Sequence, residues 1–596
     1  MAISKTVKTV LFVLGGIVGL FLLGLIALSL ALGSANAPHV GKNSVLVLRV
    51  TGEISDYRPE DPTVDLFNMP SPTSLEMLTT QLRKARVDER IGGVILDIDS
   101  PSMGWAKAEE LRDSVKEFQN SGKPVFAFME TGGNLEYFLA TAAEKIFLAP
   151  AGDLYINGLA ANAMFYRGSL DKLGVEPEVI QIGKYKNAPD QYTRKDMSDP
   201  QREVINAILD EYMQRMTDAI ASSRKLDESR VREIIDEAPF HADSAKDLGL
   251  IDGALYREQA YEQMRLRLGY PAEGKLKTVK GSEYKKVAPE SLGLNNGAEV
   301  AVIYASGQIV SGSSSDSPLG DSNLGSDSFV KSVNDAAGDP SIKAIVIRVD
   351  SPGGSALASD IMWQAIENAK LSKPVVVSMA DVAASGGYYI SCNANKIVAQ
   401  QTTLTGSIGV FMGKPVVRGL YDWLGISNEY VLRGKNAGIL RETERWTPSE
   451  RAKMQAAANK IYYTDFVPKV AKGRAMNTEA VNQIGQGHVW TGSQAKANGL
   501  VDEIGGLERA ISIAKELAGI PADQDVDRIN YPGTKSFFED LFGRDDSAQS
   551  EESVAEKAIA GEMPDSIRRA FRIAKMFEQM GRGESMLITP FILEIR

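Results

Sequence analysis

A single cysteine, Cys392, stands in a chain of 596 residues. With no second thiol there is no internal disulfide, and the count neither establishes nor excludes an oxidising compartment. No CxxC pair occurs, and histidine is limited to His39, His241 and His488. That leaves too few thiol and imidazole ligands for a structural zinc site, and it argues against an imidazole base in any hydrolytic site. Lysine and arginine form no block. The 66 basic and 77 acidic residues give a net charge of −11, so nothing supports nucleic-acid binding. Only one long apolar run occurs, which excludes a polytopic membrane protein.

That run is residues 9–32, which carry no charge. As a helix it would span about 36 Å, enough for a hydrocarbon core of roughly 30 Å. Lys5 and Lys8 precede it, and the next charged side chain is Lys42. The positive-inside rule places residues 1–8 in the cytoplasm and the body outside. Ala35-Asn36-Ala37 fits a cleavage pattern, but a signal-peptide apolar region is usually shorter than this run. A retained anchor is the favoured expectation, and a cleaved leader stays open. The remaining chain, 43% hydrophobic overall, is long enough for more than one domain.

The body contains one pattern twice. IGGVILDIDSP at Ile91 matches IKAIVIRVDSP at Ile342, EKIFLAP at Glu144 matches NKIVAQQ at Asn395, and AKDLGLIDG at Ala245 matches AKANGLVDE at Ala495. The offset between copies is constant to within one residue at these three stations. So long a period means duplication of a whole domain, not a solenoid repeat. Within each copy, short apolar runs (VLVLRV, GVILDID, PVFAFM, KIFLA; then VAVIYA, AIVIRVD, PVVVSM, KIVAQ) alternate with helical patterns. The fold class expected is therefore α/β with a largely parallel sheet in each half. Four units follow: 1–40 with the anchor, 41–290, 291–530, and a tail over 531–596.

The chemistry shows where the copies differ. The second carries Ser385-Gly386-Gly387 after the run PVVVSM; the first has Asn134-Leu135-Glu136 there. The first carries Gly183-Lys184-Tyr185-Lys186, while the second has Gly434-Lys435-Asn436-Ala437. One half keeps a serine and the other a lysine, which fits a single composite site at their interface. A serine hydroxyl needs a base, and a lysine can serve if burial lowers its pKa toward neutrality. Ser351-Pro352-Gly353-Gly354 follows AIVIRVD, and glycines at that turn let backbone N–H groups approach a substrate carbonyl. The first copy has Ser102-Met103 in place of the glycine pair. Each motif alone is an ordinary turn or loop; their joint placement carries the reading.

DSPGGS at Asp350, AASGGYYIS at Ala383, TLTGSIGV at Thr403, GKYKNA at Gly183 and HVWTGSQAKANGLVDEIGG at His488 resemble the long, tandem-repeat form of signal peptide peptidase A (protease IV, peptidase family S49). The resemblance covers about residues 40–510. It implies a ClpP/crotonase-type fold, with two tandem α/β domains behind one transmembrane helix. It implies Ser385 as nucleophile, Lys186 as general base, Ser407 as the hydroxyl that orients the lysine, and the N–H groups of Gly354 and Gly386 as oxyanion donors. It further implies a bowl-shaped homotetramer on the periplasmic side of a bacterial inner membrane. The partners would be cleaved signal peptides, with no metal, nucleotide or other cofactor. Asn187 after the base and Asn134 at the vacant serine position depart slightly from the pattern.

Two other classes stay open on the residues alone: an inactive membrane-associated scaffold of this fold, and a crotonase-like enzyme acting on acyl thioesters. Export argues against the second, since CoA is cytoplasmic. Residues 311–327 are rich in Ser, Gly and Asp and read as a mobile loop. Residues 545–553 read as an acidic linker. Ile567, Phe571, Ala574 and Phe577 recur at helical spacing. MLITPFILEIR closes the chain as an apolar, strand-like end; docking on the body, on another subunit or on the membrane stays open, with core packing the favoured expectation.

Overall fold

The structure is a computed structural model. It describes residues 40–59, 73–271, 273–316, 322–533, 585–588 and 594–595. The anchor over 9–32, the linker over 545–553 and the helical pattern from Ile567 to Phe577 lie outside these. Among the described residues no helix is long and apolar enough to cross a membrane.

Each half builds one parallel sheet with the same strand order. In the first half the order across the sheet is Gly253–Ala254, Lys145–Leu148, Val125–Met129, Ile91–Ser102, Ser44–Glu53 and Thr278–Lys280. In the second the equivalent six strands are Glu503–Ile504, Lys396–Ala399, Val375–Ala384, Ile342–Ser351, Glu299–Ser306 and Asp527–Tyr531, and Leu404–Gly406 also pairs with Val375–Ala384, followed by the antiparallel strand Val489–Thr491. The duplication read from the motifs is thus a duplication of topology. The apolar runs form strands because both faces are covered by helices, which removes the need for alternating polar residues. In Ile342–Ser351 the side chains of Ile345, Val346, Ile347 and Val349 are all fully buried. Each such burial contributes about 1.5–3 kcal/mol.

The helices start where polar caps allow. Ser74 accepts from Met77 N–H ahead of Leu75–Val87, and Ser355 accepts from Ala358 N–H ahead of Ala356–Ala369. Ser355 sits directly after the glycine pair, so one cap fixes both the helix and the end of the turn.

Buried ion pairs join the halves. Arg348, 1% exposed, donates to Asp56 at 2.9 Å and to Glu110 at 2.8 Å, both from the first half. Lys107 of the first half lies 2.6 Å from Asp350 and 3.2 Å from Asp381 of the second. These two aspartates flank the segments that lead to the glycine turn and to Ser385. A third sheet crosses between halves. Its order is Ser315–Asp316, Ser322–Gly325, Gln308–Val310, Gly353–Ser355, Met586–Ile588, Val410–Val416 and Glu176–Ile182.

One sequence expectation changes here. Part of 311–327 is not a loop: Ser322–Gly325 pairs in parallel with Gln308–Val310 and antiparallel with Ser315–Asp316, and Ser326 opens the helix Ser326–Gly338, while 317–321 lie outside the described residues. Polar composition hides this because the strand needs only backbone partners. The tail packs in the core as a strand: Met586–Ile588 joins the third sheet, and Leu587 is fully buried in the core cluster of the second half.

Candidate active site

The strand Val375–Ala384 ends at Ser385, and the helix Gly386–Ser391 starts immediately after it. Ser385 makes the corner with φ 56° and ψ −110°. A non-glycine residue in such a conformation costs of order 1–3 kcal/mol and persists only where its surroundings fix it. Here the Ser385 N–H donates to the Gly406 carbonyl at 2.8 Å. A β-carbon on Gly386 would fall 2.7 Å from Ser359 Oγ, and one on Gly387 would fall 2.6 Å from the Ser351 carbonyl. The SGG run is therefore a packing requirement of the corner as well as a source of donors.

Lys186 reaches the corner from the other half. The first-half strand Glu176–Ile182 pairs antiparallel with Val410–Val416 of the second, and this carries the following GKYK segment across. The segment is then clamped on Gln486-Gly487-His488. The Tyr185 N–H donates to the Gln486 carbonyl at 2.7 Å, and the Tyr185 ring meets His488 edge-on at 4.5 Å. Gly487 has φ +77°, and a β-carbon there would lie 2.5 Å from Lys186 N. Only glycine permits this approach.

The result brings Lys186 Nζ to 2.7 Å from Ser385 Oγ, 3.0 Å from Ser407 Oγ and 3.1 Å from the Ser407 carbonyl. Lys186 and Ser385 are both fully buried. Burial alone pushes the Lys186 ammonium well below its ordinary value of 10.5. Asp190, near in sequence, instead accepts from Asn187 Nδ2 at 2.7 Å and from Ser198 Oγ at 3.1 Å. Ser407 takes φ 49°, and its N–H donates to the His488 carbonyl at 2.7 Å. Burial also lowers the His488 pKa, and its ring stacks on Trp490 at 3.7 Å.

The glycine turn closes the other side. Gly353 has φ +99°, and its N–H donates to Ser351 Oγ at 3.2 Å. A β-carbon on Gly353 would stand 2.7 Å from Gly386 N, and one on Gly386 would stand 3.1 Å from Gly354 N. The Gly354 and Gly386 nitrogens thus lie close together next to Ser385. All five residues singled out in the sequence, Ser385, Lys186, Ser407, Gly354 and Gly386, meet at one place. At the matching place in the first copy the side chains cap the local backbone: Asn134 Nδ2 donates to the Gly158 carbonyl, and Glu136 accepts from Gly133 N–H.

Sequence reasoning missed Gln486-Gly487-His488 and the Lys107–Asp350–Asp381 group. A signal for the first existed. Aligned on the AKANGL motif, Gly487 faces Glu237 in the first copy, another divergence between halves.

The comparisons with known proteins agree with this picture. The model for "Peptidase family S49" matches residues 117–269 and 367–521, one stretch in each half. The chloroplastic serine protease SPPA of Arabidopsis thaliana is 35% identical over 93% of this chain and 81% of its own. Protease 4 of Salmonella typhi is 35% identical over 75% of this chain and 72% of its own, and Protease 4 of Haemophilus influenzae is 29% identical over 85% and 84%. Among solved structures, a membrane-bound stomatin-specific protease in complex with a substrate peptide covers 41% of this chain and 96% of its own, at 18% identity and a TM-score of 0.25. The family model and the relatives show that this chain belongs to peptidase family S49 and is a serine-type peptidase.

Proposed function

We propose that the chain is a membrane-anchored endopeptidase in which Ser385 attacks a peptide carbonyl and Lys186 takes its proton. The observation that carries this reading is the buried Lys186 Nζ, 2.7 Å from Ser385 Oγ. A lysine held neutral can accept the hydroxyl proton as the C–O bond forms. Ser407 and its carbonyl fix the amine, so its lone pair is directed at Ser385. The Gly354 and Gly386 N–H groups receive the developing oxyanion. Lys186 then returns the proton to the leaving amine, and water repeats the cycle on the acyl-enzyme.

The substrates of this proposal are apolar peptides, above all cleaved signal peptides left in a bacterial inner membrane. Residues 9–32 would anchor the chain there with its body in the periplasm. The ClpP/crotonase type of fold and a homotetramer complete the reading, supported by the motif resemblance. Exposed apolar side chains in one segment also favour assembly: Trp423 is 75% and Val431 82% exposed. Patches of this kind mark covered surfaces.

The test is hydrolysis of a fluorogenic apolar peptide by the full chain in detergent, beside Ser385→Ala and Lys186→Ala. Either change is expected to lower kcat by about 10³-fold or more. Undiminished turnover in either folded variant contradicts the site. Sedimentation of the same samples is expected to give the mass of four copies.

A further inference from the structure

The two segments that close the site leave the second-half sheet at one irregularity. The pairing of Ile342–Ser351 with Val375–Ala384 runs one to one from Ile345 and Val375 to Val349 and Met379, then jumps to Ser351 and Ala383. Asp350 alone therefore stands against Ala380, Asp381 and Val382. Just beyond the jump lie the glycine turn on one strand and Ser385 on the other. Such a bulge interrupts the ladder and re-aims whatever follows it, so something else must set the spacing there.

A first-half side chain fills the gap. Lys107 Nζ lies 2.6 Å from Asp350 Oδ2 and 3.2 Å from Asp381 Oδ2, with its side chain 9% exposed. Asp350 Oδ1 accepts from the Val382 N–H at 3.1 Å, so this carboxylate spans the bulge. Asp381 Oδ1 accepts from the Lys107 N–H at 2.9 Å, and its Oδ2 from the Gly104 N–H at 3.0 Å. These are orphan donors of the first-half helix Trp105–Gln119, which has no side-chain cap of its own. A β-carbon on Gly104 would overlap the Asp381 carboxylate, which explains the glycine. The second half thus caps a first-half helix, and that helix returns a cation. Burial works against the charge on Lys107, but Asp350, Asp381 and Asp56 more than offset it and hold the pKa above 10.5.

The repeat supplies an internal comparison. Aligned on the DSP motifs, Lys107 faces Ala358, while Asp350 and Asp381 face Asp99 and Glu130. Asp99 pairs with Arg49 and Glu130 with Arg257, all within the first half. The matching ladder there ends at Ile98 and Met129. Both copies keep the two acidic positions, but the pair joined by one lysine is the pair beside the serine.

We propose that Lys107 is a positioning residue of the Ser385 site, setting the distance between the Gly353-Gly354 turn and the nucleophile corner across the bulge. The proposal rests on the peptidase reading of Ser385 and Lys186. It ties the spacing to docking of the first half, which also delivers Lys186. Without the ammonium, two buried carboxylates face each other, and their repulsion parts the strands. The Gly354 and Gly386 N–H groups then no longer meet on one oxygen, a contact made in the transition state and not in the bound substrate.

The experiment uses the full chain in detergent. Its probes are a leucine tripeptide coupled to a fluorogenic amine and the matching tripeptide aldehyde. Ser385 Oγ adds to the aldehyde carbon as its proton passes to Lys186, so the adduct carries the oxyanion. Lys107→Met and Asp350→Asn are compared with wild type at a temperature where each is folded by circular dichroism. Arg348→Met is the control for a lost ionic contact between the halves. In Lys107→Met kcat is expected to fall about 10²-fold, and in Asp350→Asn about 10-fold. KM should hold, and the aldehyde Ki should rise by the same factors. Arg348→Met should keep its kcat while its Tm falls. Folded variants that lose Tm but keep kcat and Ki make Lys107 structural and overturn the proposal. A raised KM at constant kcat overturns it too, as does an equal loss of kcat in Arg348→Met. Should Lys107→Met or Arg348→Met fail to fold, Asp350→Asn, which removes a charge and almost no volume, decides alone. A wild type no more active than Ser385→Ala fails the peptidase reading itself, and the proposal with it.

Discussion

Replacing Lys186 with methionine should stabilise the protein while abolishing its activity. Lys186 is fully buried, and no opposite charge contributes to its lowered pKa. Holding an amine of ordinary value 10.5 neutral at pH 7 costs about 1.4 kcal/mol per pH unit, so about 5 kcal/mol at most. Methionine keeps most of the volume and removes that cost. It also loses three hydrogen bonds, to Ser385 Oγ, Ser407 Oγ and the Ser407 carbonyl, each a net contribution of about 1 kcal/mol. A net gain of up to about 2 kcal/mol remains, equivalent to a few degrees in Tm. The pH dependence fixes the sign. Between the lowered pKa of the folded lysine and the ordinary 10.5, the unfolded chain binds a proton that the folded one does not, so wild-type stability rises with pH across that window. The advantage of Lys186→Met should therefore shrink between pH 7 and pH 10. Thermal melts of both proteins across that range read it directly. A variant less stable than wild type at every pH, or an advantage independent of pH, would refute a neutral buried lysine.

Two other substitutions test the frame around the dyad. Gly487→Ala places a β-carbon 2.5 Å from Lys186 N at a φ of +77°; displacing the base by about 1 Å should lower kcat about 10²-fold, as steady-state peptide hydrolysis would show. Arg348→Met leaves Asp56 and Glu110 buried without their shared cation; the expected loss is about 3–5 kcal/mol, measured by urea unfolding, with no loss if the halves do not depend on this contact.

How much of this was legible in the sequence depended on the distance between partners. The strands were readable because runs such as AIVIRVD are local signals, and the repeat made each reading count twice. Ser385 and Lys186 stood out because each is missing from the other copy. The Gly353-Gly354 turn was readable as a donor site from its place after AIVIRVD, whereas the roles of Ser407 and Gly386 came only through resemblance, since a TGS or an SGG turn has many uses. Arg348 sits inside an apolar strand run, and nothing local names its ionic partners, Asp56 and Glu110, which lie in the first half. The tail was readable as strand-like but without an address. A strand is stabilised by whichever edge accepts it, and composition does not say that this edge is the glycine turn.

The central claim is that a neutral Lys186 activates Ser385. It is tested most directly by labelling the full chain with a fluorophosphonate and mapping the modified residue, in wild type and in Lys186→Met. The account predicts a label on Ser385 in the wild type and little or none in the folded variant. Equal labelling of Ser385 in both, or a label on another serine in the wild type, would contradict it.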